Sequence, residues 1–228
     1  MSSAFEPASR LNFRQWLFPL SLVLFEFATY IAHDMIQPGM LQVISDFSAS
    51  ADWVSTSLTA YLCGGILLQW LLGPLSDRLG RRPVLLAGVA FFTVTCLLTV
   101  FTRSIEQFIL MRFLQGMSLC FIGAVGYAAI QEAFSETLSV RLMALMANIT
   151  LIAPLLGPLA GAAFIHYAPW KAMLVLFSVI SALAFLGLWH SMPETPTRYD
   201  ERFYMPRLLT HYPEVLTHTA VLYDSPCL

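Results

Sequence analysis

Charged residues are scarce in this chain. They make up 11% of its 228 residues, whereas about 25% is usual for a soluble domain. The net charge of −2 provides no general attraction for nucleic acid, so we expect no nucleic-acid partner. Hydrophobic residues instead account for 57% of the chain. This balance predicts a protein whose solvent is the lipid bilayer.

Cysteine is also rare, with four residues at Cys63, Cys96, Cys120 and Cys227. The first three stand singly inside apolar runs, and none forms a CxxC pair or has histidine at metal-ligand spacing. We interpret them as small core residues and expect no disulfide, no metal site and no cofactor.

Catalytic signatures are missing from the sequence as well. It contains no HExxH, no GxSxG and no convincing acid–base dyad beside a nucleophile. We therefore predict that the chain is not an enzyme.

Six apolar stretches are each long enough to cross a bilayer, which takes about 20 residues. They run approximately over residues 15–43, 53–76, 83–102, 107–131, 142–165 and 172–192. A large soluble helical core would need polar helix faces, which spans two, three and five do not offer. The predicted fold is an all-α, polytopic membrane protein in which residues 1–192 form a six-helix bundle. Prolines and charges return after Met192, so residues 193–228 are expected to be a cytoplasmic tail or a truncated inter-domain linker.

The basic residues are distributed unevenly between the two ends of these spans. Two of them, Arg103 and Lys171, fall on one side. The other side holds Arg10, Arg14, Arg78, Arg81, Arg82, Arg141, Arg198, Arg202 and Arg207. The positive-inside rule then predicts that both termini are cytoplasmic.

Three motifs stand out along the spans. The loop between spans two and three reads G-x-x-x-D-R-x-G-R-R, with Gly73, Asp77, Arg78, Gly80, Arg81 and Arg82. Span four begins with R-x-x-Q-G, formed by Arg112, Gln115 and Gly116. Span five carries Pro154, Gly157, Pro158 and Gly161, a Gly-Pro pair among small residues that favours a kink and close helix approach.

Together these motifs resemble the drug/proton antiporters of the major facilitator superfamily, and one group of its multidrug transporters in particular. The likeness runs from about Arg14 to Glu194, and we expect it to stop after Arg198. It implies the amino-terminal half of a twelve-span fold in a bacterial inner membrane. It also implies efflux of lipophilic, often cationic drugs in exchange for protons, with a second six-helix half as a further partner. The motifs also have simpler interpretations: the loop arginines as topology signals, and the span-five motif as a packing kink.

Charges inside the spans are the most informative residues, since each is costly in lipid and should face a cavity or a partner. Glu26, Tyr30 and Asp34 are spaced four apart and form a ridge on span one. Arg112 on span four should lie at a depth similar to that of Asp34. Burial disfavours a charged carboxylate and a nearby arginine favours it, so a site whose surroundings change can take up and release a proton.

We therefore predict Glu26 and Asp34 as the proton and substrate carboxylates, with Arg112 as the tuning cation; the two carboxylates follow from the resemblance. For Glu26 we consider Tyr30, water or the missing half as its partner. The alternative for Asp34 and Arg112 is a static pair that only joins two helices. For the whole chain, the alternative function is a truncated, non-transporting fragment or a membrane-bound interaction partner.

Overall fold

The computed structural model describes residues 13–193, and within that range every regular element is a helix. In chain order the helices are α1 (Phe13–Met35), α2 (Met40–Asp46), α3 (Asp52–Leu67), α4 (Gln69–Leu79), α5 (Arg81–Thr99), α6 (Ile105–Phe121), a π-helical turn (Ile122–Gly126), α7 (Tyr127–Ala133), α8 (Glu136–Tyr167) and α9 (Trp170–Ser191). The predicted tail, apart from its first residue, lies outside the described residues.

The helices agree with the predicted membrane spans. Five helical segments are long and apolar enough to cross a bilayer, and α3 with α4, bent by 42° at their junction, gives a sixth candidate when the pair is counted as one span. The α6 helix, the π-helical turn and α7 together form span four. The predicted all-α, polytopic membrane fold is thus confirmed.

The first span is shorter than predicted. Instead of continuing to residue 43, α1 ends at Met35, and the chain turns before α2 begins at Met40. Pro38 explains the break, because proline has no N–H and clashes with the carbonyl four residues earlier, here that of Asp34. The amide of Gln37 donates to the Asp34 carbonyl at 3.3 Å, which closes the turn.

Helix α1 occupies a central position in the bundle. It packs against α8 and α9, and it also touches α6. The α5 helix packs between α9 and α6, and α3 packs along α6. The two motif-bearing spans, α6 and α8, therefore both contact the helix that carries Glu26 and Asp34.

The cysteines are divided between the core and the surface. Cys96 and Cys120 are buried as predicted, whereas Cys63 is exposed, so its assignment to the core was wrong. Cys63 lies on α3, which contacts α6 on one face only and leaves other positions outside the bundle. Among residues 13–193, no group of three His, Cys, Asp or Glu side chains could hold a metal ion.

Candidate functional site

Glu26 lies in the middle of α1 with its side chain fully buried. The Tyr127 hydroxyl donates to Oε1 of Glu26 at 3.2 Å, whereas Oε2 accepts no hydrogen bond from the described residues. Among the side chains that the structure describes, no cation pairs with this carboxyl group. The group is thus held through one oxygen by a neutral donor, and its other oxygen is buried without a hydrogen-bond partner among the described residues.

Tyr127 is the partner of Glu26 that sequence reasoning missed. Tyr30, which was considered for this role, lies one turn from Glu26 but interacts through its hydroxyl with Thr150 of α8. Tyr127 follows directly after the π-helical turn, whose extra residue changes the direction of the next side chains. A 3.6-residue periodicity drawn on the sequence would therefore misplace it.

Asp34 lies one residue before the end of α1 and is also buried, at 5% exposure. Its Oδ1 accepts a hydrogen bond of 3.2 Å from the Gln37 side chain, within the turn that ends α1. Two helical turns separate Asp34 from Glu26 on the same face, as the spacing predicted. The two carboxyl groups are thus aligned along one ridge of the central helix.

Arg112 is fully buried on α6, as its position in the predicted site requires. Its Nη1 donates to Oε1 of Gln115 at 2.9 Å and to the Ala32 carbonyl at 3.4 Å. The guanidinium carbon lies 4.4 Å from the centre of the Tyr61 ring, a cation–π contact. Nε and Nη2 have no hydrogen-bond partner among the described residues.

Asp34 and Arg112 form no ion pair among the described residues, where the ion pairs found involve Arg81. The proposed static lock between α1 and α6 is therefore absent from this conformation. The guanidinium is instead occupied by neutral acceptors and an aromatic ring, because Ala32 and Gln115 are nearer to it. The charges of Asp34 and Arg112 remain within electrostatic range of each other.

A short chain of hydrogen bonds connects Arg112 to α5. Gln115, which accepts from Arg112, donates through Nε2 to the Thr99 hydroxyl at 2.8 Å and to the Thr95 carbonyl at 3.5 Å. Thr99 in turn donates to the Thr95 carbonyl. The glutamine of the R-x-x-Q-G motif therefore ties the arginine to α5.

The span-five motif lies against the end of α1. A Cβ added to Gly157 would overlap the Cβ of Asp34, and one added to Gly161 would overlap the Met35 carbonyl. Only glycine allows this approach of α8 to α1. Pro154 and Pro158 lie within α8, which runs from Glu136 to Tyr167 without interruption. The motif therefore contacts the predicted carboxylate directly, a relation that the sequence did not reveal.

The loop motif forms a second, separate cluster. Arg81 pairs with Asp77 one turn before it, reaches Glu132 of α7 at 3.1 Å, and also donates to the Ser76 hydroxyl. Gly80 has a backbone φ of 95°, a value that residues with a side chain rarely adopt, and it separates α4 from α5. Gly73, the first residue of the loop motif, lies inside α4 and not in this turn, and a Cβ added to it would meet nothing within 4 Å.

The remaining loop arginines have separate environments. Arg78 is exposed, whereas Nη2 of Arg82 donates to the Trp189 carbonyl of α9 at 2.8 Å. The fold thus brings Glu26, Asp34, Arg112 and Tyr30 to one region around α1, and the loop residues to another.

Comparison with known proteins provides an independent view of the chain. The model of the Major Facilitator Superfamily matches residues 22–219. The chain is 62% identical over its full length to the "Multidrug transporter MdfA" of Yersinia pestis bv. Antiqua (strain Angola), and covers 56% of that protein. It is 59% identical to the protein of the same name from Edwardsiella ictaluri (strain 93-146), with 99% of this chain and 55% of that one aligned.

These matches confirm the resemblance and correct its extent. We expected the likeness to end after Arg198, but the family model continues to residue 219 and the Yersinia alignment covers all 228 residues. The composition of this proline-rich, polar segment shows only that it differs from a membrane span. Composition alone could not show that relatives share the segment. The chain spans about half the length of the relatives it matches.

Two solved transporter structures share the fold. The human organic anion transporter MFSD10 superimposes with a TM-score of 0.62 at 19% identity, over 85% of this chain and 50% of that one. A bacterial homologue of the human lysosomal transporter Spinster, in an inward-facing and unoccupied conformation, gives a TM-score of 0.65 at 15% identity, over 93% and 50%. At this identity the likeness concerns the fold alone.

Proposed function

The chain belongs to the Major Facilitator Superfamily, and from that premise we propose that it forms the amino-terminal wall of a drug/proton antiporter. The transported drugs would be lipophilic and often cationic. Exchange of such a drug against protons needs no covalent chemistry, so the proposal describes a transporter and not an enzyme.

The observation that carries this proposal is the environment of Glu26. A fully buried carboxyl group with one oxygen unpaired is costly in a membrane unless a proton or a cation occupies it. Tyr127 donates to the other oxygen only, and Asp34 lies about two turns further along the same helix. A cationic drug and a proton would compete for these carboxylates, and exchange follows when their surroundings change between two conformations.

The second group of motif residues suits the conformational change. Arg81 joins α4 to α7 through Asp77 and Glu132, at the end of the bundle that the positive-inside rule places in the cytoplasm. We assign this contact, with Gly80, Arg78 and Arg82, to the switch between conformations. Both termini would then be cytoplasmic, in a bacterial inner membrane.

The exposed apolar surfaces fit a missing partner. Helices α3 and α8 expose large apolar side chains along much of their length: Leu62, Ile66, Leu67, Leu151, Ile152, Leu155, Leu156 and Leu159. Lipid covers part of this surface in a membrane. Since the chain matches about half of its relatives, we assign the rest to a second six-helix half that closes the central cavity.

The experiment compares this chain alone with the chain co-expressed with the carboxyl-terminal half of the Yersinia relative. Inverted membrane vesicles are energised, and uptake of the lipophilic cation tetraphenylphosphonium is followed together with proton release. We expect exchange in the paired sample. Glu26→Gln and Asp34→Asn should each reduce proton release per cation, because each removes a titratable carboxyl group.

Glu106→Gln is the matched control, since this carboxylate is exposed at the start of α6 and should leave exchange unchanged. Normal proton release in both Glu26→Gln and Asp34→Asn would refute the assigned residues. If the paired sample neither binds nor transports the cation, the proposed function is wrong.

A second candidate, a non-transporting fragment, is favoured by one observation: the chain covers 56% of its Yersinia relative. The same vesicles decide between the two candidates. Exchange in the sample containing only this chain would exclude the fragment, whereas activity in the paired sample alone would mean that the single chain is inactive by itself.

A further inference from the structure

The short helix α7 takes part in both groups of functional residues. Tyr127, its first residue, donates to Glu26 at 3.2 Å, and Glu132, five residues further on, contacts Arg81 at 3.1 Å. At 1.5 Å per residue these two residues are about 8 Å apart along the helix axis. A hydrogen-bonded helix of two turns is stiff over such a distance, so a rotation at one end reaches the other.

The π-helical turn before α7 makes such a rotation possible. In residues Ile122–Gly126 the backbone bonds run from i to i+5, so the turn holds one residue more than an α-helix would. Movement of that extra residue along the chain turns the residues that it passes by about 100°. Gly123 and Gly126 lie in this turn, where side chains would otherwise hinder the movement.

We propose that Tyr127 is a positioning residue for Glu26, and that α7 transmits the state of Glu26 to the contact between Arg81 and Glu132. When a proton or an organic cation neutralises the Glu26 carboxylate, the hydrogen bond that Tyr127 donates to it weakens, because a neutral acceptor is weaker than a charged one. In this proposal α7 then rotates at the π-helical turn, and Glu132 leaves Arg81. The proposal rests on the proposed function only for the nature of that ligand, a proton or an organic cation.

The opposing structural explanation is that α8 alone holds α7 in place. Ser139 of α8 donates to the Ile130 carbonyl at 3.1 Å, and Gln131 contacts the Met143 sulfur at 3.3 Å. If these contacts determine the position of α7, the bond to Glu26 has no influence on Glu132. The two explanations therefore predict different effects for a variant that removes only the Tyr127 hydroxyl.

The test measures the distance between α4 and α7 in the full chain, reconstituted in lipid nanodiscs. Spin labels are attached to Leu79→Cys and Ala133→Cys, two exposed positions next to the Arg81–Glu132 contact. Cys63→Ser and Cys227→Ser remove other reactive thiols, and the buried Cys96 and Cys120 remain. Glu132→Gln, which weakens the contact directly, provides the reference distance distribution.

We expect Tyr127→Phe to shift the distance distribution in the same direction as Glu132→Gln. Ser181→Ala is the control, because it removes another buried hydroxyl, which lies 2.7 Å from the Thr93 hydroxyl, from α9, a helix outside this path. This control should leave the distances unchanged.

Three results would overturn the proposal: Tyr127→Phe leaves the distribution as it was, Ser181→Ala shifts it as much as Tyr127→Phe does, or Glu132→Gln has no effect. Binding of tetraphenylphosphonium is measured separately on the paired sample. Transmission without any cation binding would leave this inference standing and contradict the proposed function. Cation binding without transmission would contradict this inference and leave the proposed function standing.

Discussion

At the scale of single residues, Arg112 shows how a buried charge is accommodated. Gln115, the Ala32 carbonyl and the Tyr61 ring contact it, and no carboxylate within residues 13–193 forms an ion pair with it. Two of its N–H groups remain without a partner among the described residues. A buried cation with unused donors can donate to Asp34 in another conformation. The position therefore suits an ion pair that forms in one conformation and breaks in another better than a permanent pair.

Gln115→Leu should destabilise the chain because it removes the nearer of the two acceptors of Arg112 Nη1 and the link to Thr99. An unsatisfied buried donor costs about 1–3 kcal/mol, and more when it is charged. The free energy of unfolding is measured by titration with sodium dodecyl sulfate in mixed micelles.

Gln107→Leu is the control for this variant. The Gln107 side chain is exposed and accepts a single hydrogen bond, from the Arg103 amide. Surface substitutions usually change the unfolding free energy by less than about 0.5 kcal/mol. Equal effects of the two substitutions would mean that Arg112 does not depend on Gln115.

At the scale of helices, the interface between α1 and α8 depends on small residues. Gly157 and Gly161 bring α8 against Asp34 and Met35, so the span-five motif determines how closely α8 approaches a predicted proton site. Because lipid provides no hydrophobic drive between helices, this packing has to come from close backbone contact. A change in the position of α8 would therefore change the surroundings of Asp34.

Gly161→Ala should weaken this interface, since the new methyl group would overlap the Met35 carbonyl and push α8 outward. Overpacking of this kind costs about 1–3 kcal/mol. Unfolding in mixed micelles measures the loss. Gly73→Ala serves as the comparison, because a methyl group there meets nothing within 4 Å and alanine favours a helix. A Gly161→Ala variant as stable as Gly73→Ala would show that the two helices do not pack this closely.

At the scale of the whole molecule, the question is which face of the membrane each end of the bundle meets. The loop with Arg78, Arg81 and Arg82 lies at the same end as Arg141, whereas Arg103 and Lys171 lie at the other. With six spans, the orientation of one loop determines that of every other.

Cysteines placed at Ser50 and Ser135 should report this orientation. Both positions are exposed, the first between α2 and α3 and the second between α7 and α8. The variants are made in a chain without the other exposed cysteines and are tested in spheroplasts. A membrane-impermeant maleimide should label Ser50→Cys and should label Ser135→Cys only after lysis. Labelling of Ser135→Cys alone would show the opposite orientation. Labelling of both before lysis would contradict a membrane-spanning bundle.

The sequence by itself determined the class of fold. In lipid every backbone polar group must be satisfied internally, so long apolar runs have to become helices. Composition shows where these runs lie, although the first helix ends at Met35 and not at residue 43. It also made Glu26, Asp34 and Arg112 the predicted site residues, because charges are costly in apolar segments, while the roles of the two carboxylates came from the resemblance. The break at Pro38 could also have been predicted from the sequence, since proline ends a helix for local reasons.

Only the tertiary structure decided which groups meet. The π-helical turn alters the helical periodicity just before Tyr127, so no spacing rule could pair that residue with Glu26. Arg112 contacts Gln115 and Ala32 and not Asp34, because partner choice inside a bundle depends on differences of an ångström or two in helix position. The approach of Gly157 to Asp34 has the same origin: small residues allow contact, but the packing of α8 on α1 selects the residue that is contacted.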